Sequence, residues 1–192
     1  MSGCPSQTGS TMNEKMSASN SKRSETEQLS FIWKNIERIS TCMMTTCDGP
    51  HLRARPMRGI ARPHENAIVF VTARSTHKPE EIAANPNACL CFGDVSTNTF
   101  ISLSGVIALT EDRETVRELW GRAHDAYFPE GPSDPNAVLL TFTPKSGEYW
   151  DAPSNPVLIA IEFIRASVVG GKPSLGDNAA VPMESTSLPP AG

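Results

Sequence analysis

Between residues 41 and 150 the chain breaks into short extended runs separated by turn residues, and that rhythm narrows the folds open to it. Residues 41–46 (TCMMTT), 51–60 (HLRARPMRGI), 67–72 (AIVFVT) and 88–93 (ACLCFG) read as strands. So do residues 99–109 (TFISLSGVIAL), 137–143 (AVLLTFT) and 147–150 (GEYW). Cys47-Asp48-Gly49-Pro50 and residues 62–66 are turns. Antiparallel strands on short connections, with few helices, predict a mainly β fold: an antiparallel barrel with peripheral helices, not a βαβ sheet. No G-x-G-x-x-G or G-x-x-x-x-G-K pattern follows a strand, which removes the Rossmann and P-loop classes. Pro56 cannot donate to a strand ladder, so its strand must bulge there or lie at an edge.

Helical signals flank and interrupt this pattern. Ser24 with Glu27 three residues on makes a capping box, and Leu29, Ile32, Trp33, Ile36 and Ile39 follow as one apolar stripe. Residues 76–85 predict a short helix with Pro79 in its first turn. Residues 112–124 predict another, with Val116, Leu119, Trp120 and Ala123 at helical spacing and acidic residues at its positive end. Asn155-Pro156 would open a last helix, running to about Ala166.

Of the 192 residues, those at 1–23 and 171–192 carry no aromatic and are rich in small and polar types. Such segments bury too little apolar surface to offset their ordering entropy. The expected organisation is a disordered tail at 1–23, a folded domain at 24–168 and a second disordered tail at 169–192. A net charge of −4 argues against a broad nucleic-acid or anionic-membrane surface. No apolar run reaches a bilayer's width and no signal-peptide core opens the chain, so a cytoplasmic protein is expected. The five cysteines are an odd count, pointing to reduced thiols. Cys89 and Cys91 share one face of their strand; small buried hydrophobes are the preferred reading, over a metal site without C-x-x-C geometry.

Two clusters suit an anion. One is Arg53-Ala54-Arg55-Pro56-Met57-Arg58, where alternation puts Arg53 and Arg55 on one face unless the strand bulges first. The other is Thr72 at a strand end, followed by Thr76-His77-Lys78 opening a helix. Helix N-termini expose free N–H groups, and hydroxyls, a lysine and arginines would complete a phosphate cradle. A capped helix with solvated basic side chains is the plainer alternative. His51, His64 and His124 have no nucleophile or carboxylate that sequence can place beside them, and no catalytic acid or base is assigned.

The ordered set HLRARPM, IVFVTARSTHKPEEIAANPNACLCF, FISLSGVIAL and GEYWDAP resembles the pyridoxamine 5′-phosphate oxidase-like split β-barrels that bind flavin mononucleotide (FMN), in their general stress protein branch. The resemblance implies a homodimer with flavin at the subunit interface. It places Thr72, Thr76, His77 and Lys78 at the phosphate, with Val71 beside them and Arg55 at the family's strand arginine. Arg53 is the alternative register. Pro56 and Met57 would lie along the flavin ring, and Trp150 would reach it from the other subunit or else serve as a core or interface residue.

The oxidases' R-L-H-D-R-type ending, which helps to bind the pyridoxal substrate, is missing: Trp150 leads into DAPSNPVLIAIEF, with no arginine before Arg165. The expectation is therefore a flavin-binding stress protein without pyridoxamine phosphate oxidase activity, acting as a flavin-dependent oxidoreductase. The alternatives are a non-catalytic flavin binder or buffer, and a barrel for haem or a deazaflavin. An open cleft would admit FAD as well as FMN.

Overall fold

The computed structural model describes residues 23–76, 78–153, 156–169 and 176–183. Helix α1 (Glu25–Ile39) starts where Ser24 and Glu27 complete the capping box and buries Leu29, Ile32, Trp33 and Ile36. Strands β1 (Thr41–Asp48), β2 (His51–Arg58), β3 (Ile60–Arg62) and β4 (Ala67–Ala73) follow. Helix α2 (Lys78–Ala84) leads to β5 (Asn87–Asp94) and β6 (Thr99–Thr110). Helices α3 (Arg113–Glu118) and α4 (Arg122–Asp125) precede β7 (Ala137–Asp151), helix α5 (Pro156–Val169) and β8 (Asp177–Pro182). Among the described residues no helix is long and apolar enough to cross a membrane.

The strands form one antiparallel sheet in the order β2-β1-β5-β6-β7-β4-β3, with β8 also on β7. β2 and β3 lie at opposite ends of that order, yet only Gly59 separates them in the chain. The sheet must therefore curl until its ends meet, which is barrel closure. Gly59 permits the close crossing, because a Cβ there would lie 2.7 Å from Ile68 and 2.8 Å from Phe70. Met44, Phe70, Leu90, Leu103, Phe142 and Tyr149 fill the interior, and the apolar stripe of α1 packs into the same core. Each such side chain contributes about 1.5–3 kcal/mol when fully buried. Val69, Val116, Phe128 and Leu139 form a smaller cluster on the other side of β4 and β7. β4 is thus covered on both faces, which explains its unbroken apolar sequence.

The expectation of an edge at Pro56 is met: β2 ends the sheet order and pairs with β1 in continuous register. Four other expectations need correction. Residues 137–143 and 147–150 belong to one strand, β7, whose register against β6 shifts at Ser104/Gly105. Pro144, unable to donate, sits at that bulge. The helix expected over 112–124 is two short ones, interrupted at Gly121, whose N–H donates to His124 Nδ1 at 3.0 Å. The C-terminal segment is not all tail, since β8 pairs with β7 and Ala179, Val181 and Met183 are buried. Their period of two is a strand signal that averaging over a Ser- and Pro-rich segment hides. Arg23, assigned to the N-terminal tail, ion-pairs with Asp151 at 2.8 Å and with Asp177, and lies 4.1 Å over the Phe31 ring.

Candidate functional site

With β1 and β2 in unbroken register, Arg53, Arg55 and Met57 of β2 lie opposite Thr46, Met44 and Cys42, whose side chains are buried. Both arginines thus turn to the inner side of the edge strand, while Pro56 is exposed and Met57 packs on the core. Helix α2 packs against β1 and β6, burying Ile82 and Glu81. A carboxylate at that depth needs partners. Glu81 has them: Thr46 Oγ1 donates to its Oε2 at 2.5 Å, and Arg55 Nη2 donates to the same oxygen at 2.5 Å. Arg55 Nη2 also donates to Thr46 Oγ1 at 2.7 Å. Arg53 Nη1 stands 3.5 Å from Glu81 Oε1 and 3.2 Å from Asp48.

This arrangement sets the ionisation of Glu81. Burial works to raise its pKa, but the hydrogen bonds from Thr46 and Arg55 and the charges of both arginines outweigh it and hold the carboxyl below its ordinary range. The two guanidinium groups meet two carboxylates, buried Glu81 and exposed Asp48, so the cluster is formally neutral, with both cations held on this inner edge. Arg55 makes its recorded contacts through Nη2, and a guanidinium carries five N–H donors. The donor set therefore fits a phosphate monoester, with Glu81 as a resident competitor for the same guanidinium.

The remaining expected residues are distributed unequally. Thr72 is buried at the end of β4 on the face of Ile68 and Phe70, whereas Val71 turns to the smaller cluster on the opposite face. Thr76 Oγ1 donates to the Ala73 carbonyl at 2.9 Å, tightening the turn into α2. Lys78 begins α2; its side chain, and His77 altogether, lie outside the described residues. Trp150 is 42% exposed and Phe100, its register partner, 40%, both on the outer face of the sheet. Sequence reasoning missed Thr46 and Glu81. The available signals were alternation, which puts Thr46 on the face of Cys42 and Met44, and two arginines on one face of the next strand, which call for an anion.

Cys89 and Cys91 correct another expectation. They share a face, but it is the outer one, where Cys91 is exposed and Cys89 half-buried. Beside them runs a groove of about 420 Å³ lined by Thr45, Cys47, Leu52, Cys89, Ser104 and Lys145 among others.

Comparison with known proteins places this architecture. The model of the family described as pyridoxamine 5′-phosphate oxidase like matches residues 27–174. The chain belongs to that family. It is similar to general stress protein 26 of Bacillus subtilis (strain 168), 29% identical over 90 residues, 43% of this chain. The match spans 61% of that relative's length. A solved structure described as a general stress protein 26 of Jannaschia sp. CCS1 is 28% identical, with a TM-score of 0.66 over 81% of this chain and 98% of that one. The general stress FMN/FAD binding protein of Xanthomonas citri shares the fold at 23% identity, with a TM-score of 0.57 over 65% of this chain and 89% of that one. The split-barrel fold follows from these likenesses and from the sheet order.

Proposed function

We propose that this protein binds a flavin mononucleotide, with the phosphate on the inner edge formed by β2 and the start of α2. The observation that carries the reading is the Arg53–Arg55–Glu81–Thr46 cluster. It holds two guanidinium groups in place with N–H donors to spare, in the segment where family members carry phosphate-binding residues. Thr72, Thr76, His77 and Lys78 would complete the cradle, the backbone of Val71, Pro56 and Met57 would line the ring, and FAD is an alternative occupant. The Xanthomonas citri relative's FMN/FAD binding supports the choice of ligand. The bound flavin would carry the electrons, the protein supplying position and electrostatics for an oxidoreductase activity of unspecified donor.

A homodimer completes the proposal. Met43, Phe100 and Trp150 are exposed apolar side chains on one outer sheet face, the kind of surface a second copy covers. Trp150 would then reach the partner's flavin.

The spectrum and mass of the chromophore that copurifies test the ligand directly. Titrating FMN and riboflavin, which lacks the phosphate, into variants tests the site. Lys78→Ala and Arg55→Ala each lose a charge-assisted bond worth about 1.5–3 kcal/mol, roughly ten- to hundredfold weaker FMN binding with riboflavin little changed. Equal weakening of both ligands would move the phosphate elsewhere. Steady oxidation of NADH or NADPH by the loaded protein supports the oxidoreductase; stable flavin binding without turnover supports a flavin buffer.

A further inference from the structure

The outer face of the sheet carries a second chemistry, independent of the flavin proposal. Cys89 and Cys91 alternate onto that face, and their sulfurs stand 3.7 Å apart. The Ser102 hydroxyl lies 3.6 Å from Cys89 Sγ and 3.9 Å from Cys91 Sγ. Strand register sets Met43 directly across from Cys91 on β1, and Met43 is 43% exposed on the same face. Two thiols and, one strand over, a thioether side chain thus share one face of the sheet.

The geometry favours an ion over a disulfide. Residues two apart on a strand have Cα atoms about 6.4–6.8 Å apart by the strand rise, at the upper limit of what a disulfide spans. Two thiolates on one three-coordinate ion, each about 2.3 Å from it, stand about 4.0 Å apart, near the 3.7 Å already present. Among the described residues no group of three or more His, Cys, Asp or Glu side chains is placed to hold a metal. A closed site for a divalent ion wanting four such ligands is therefore absent from this face. Soft ions of low coordination number need fewer, and thiolate with thioether is the ligand set that selects monovalent copper.

We propose that Cys89 and Cys91, with Met43 beside them, form a surface site for a soft monovalent cation of the Cu(I) type. Binding exchanges two thiol protons for the ion: two S–H bonds break, two S–Cu bonds form, two protons leave, and no electron is transferred. Because binding releases protons, uptake should strengthen as pH rises. The site lies on the face assigned above to the dimer, so it is tested on the full chain, with its oligomeric state measured alongside.

The reduced protein is titrated anaerobically with Cu(I), supplied as its acetonitrile complex, against the chromophoric chelator bathocuproine disulfonate. One equivalent per chain should be withdrawn from the chelator, with ultraviolet thiolate-to-copper absorption. Cys89→Ser and Cys91→Ser should each weaken uptake at least tenfold, and Met43→Leu less. Cys47→Ser, on the same face, should leave the stoichiometry at one. Zn(II) in equal amount should not displace the copper. The proposal fails if the chelator keeps the copper, if Cys89→Ser and Cys91→Ser bind as well as the parent, or if Zn(II) displaces it. It also fails if thiol counting shows the freshly reduced pair closing to a disulfide in place of uptake.

Discussion

Two arginine–carboxylate networks in this barrel use the same groups to different ends. In one, Arg23 pairs with Asp151 and Asp177, the Tyr149 hydroxyl donates to Asp177 at 3.0 Å, and the guanidinium lies over Phe31. One cation meets two anions, so the network is electrostatically closed to a further anion. It works as a staple between the start of α1 and the β7–β8 pair. In the other, Arg53 and Arg55 share buried Glu81 while Arg53 also pairs with exposed Asp48, so two cations meet two anions. The first network carries a net negative charge and the second balances, which leaves the second the more open of the two to a phosphate. An arginine–carboxylate pair is informative only once its charges are counted together.

The harshest way to break the comparison is to remove half of the staple. Ending the chain after residue 175 deletes β8, with buried Val181 and Met183 and the paired Asp177. Val181 and Met183 alone represent about 1.5–3 kcal/mol each, roughly 5 kcal/mol together, which matches the whole stability of a marginal domain. The shortened chain should be unfolded or barely folded by circular dichroism at room temperature. A melting temperature within a few degrees of the full chain would mean that β8 merely decorates the edge of β7.

The second network should respond to a subtler change. Glu81→Ala leaves two arginines and Thr46 without their buried partner, and breaking such a pair costs about 3 kcal/mol. Urea unfolding should show that loss, and inorganic phosphate should recover part of it in the variant more than in the parent. Absence of any phosphate effect would mean that the two arginines are not available to an anion. Arg23→Ala should cost less, about 1–2 kcal/mol, from half-exposed ion pairs and a cation–π contact. It should leave FMN affinity unchanged, whereas Arg55→Ala should not.

The contrast also explains what could be read from the sequence. Strands 41–46, 67–72 and 88–93 carry their own periodicity, and α1 carries both its cap and its stripe, so these elements were legible one by one. That Arg53 and Arg55 share a face was legible too, subject to a bulge that β2 does not contain; that it is the inner face was not. Glu81 was not singled out, because its role depends on α2 packing against β1, a long-range fact. β8 was hidden for a similar reason: Ala179, Val181 and Met183 become a strand only where the second half of β7 offers an edge. The outer face of Cys89 and Cys91 was misjudged because alternation sorts residues into two faces without saying which is covered.

The smallest expected effect lies in pH. Glu81 is held below its ordinary carboxyl pKa in the fold, so the unfolded chain binds more protons than the folded one between those two values. Its stabilising contribution is therefore complete above the unfolded value of about 4.3 and is lost as pH falls through the folded value. Glu27, Asp94 and Asp112 are lowered as well, by hydrogen bonds to nearby hydroxyl or backbone groups or to Arg38, and they give the parent protein a background slope of the same sign. Glu81→Gln isolates one share of it, because the amide can still accept from Thr46 or Arg55 but does not titrate in this range. The variant should be less stable than the parent at neutral pH, and the gap should narrow as pH falls below the ordinary carboxyl value of about 4.3 and the parent's carboxylate takes up its proton. Parallel curves for Glu81→Gln would place the titrating charge outside this cluster and reduce Glu81 to a hydrogen-bond acceptor.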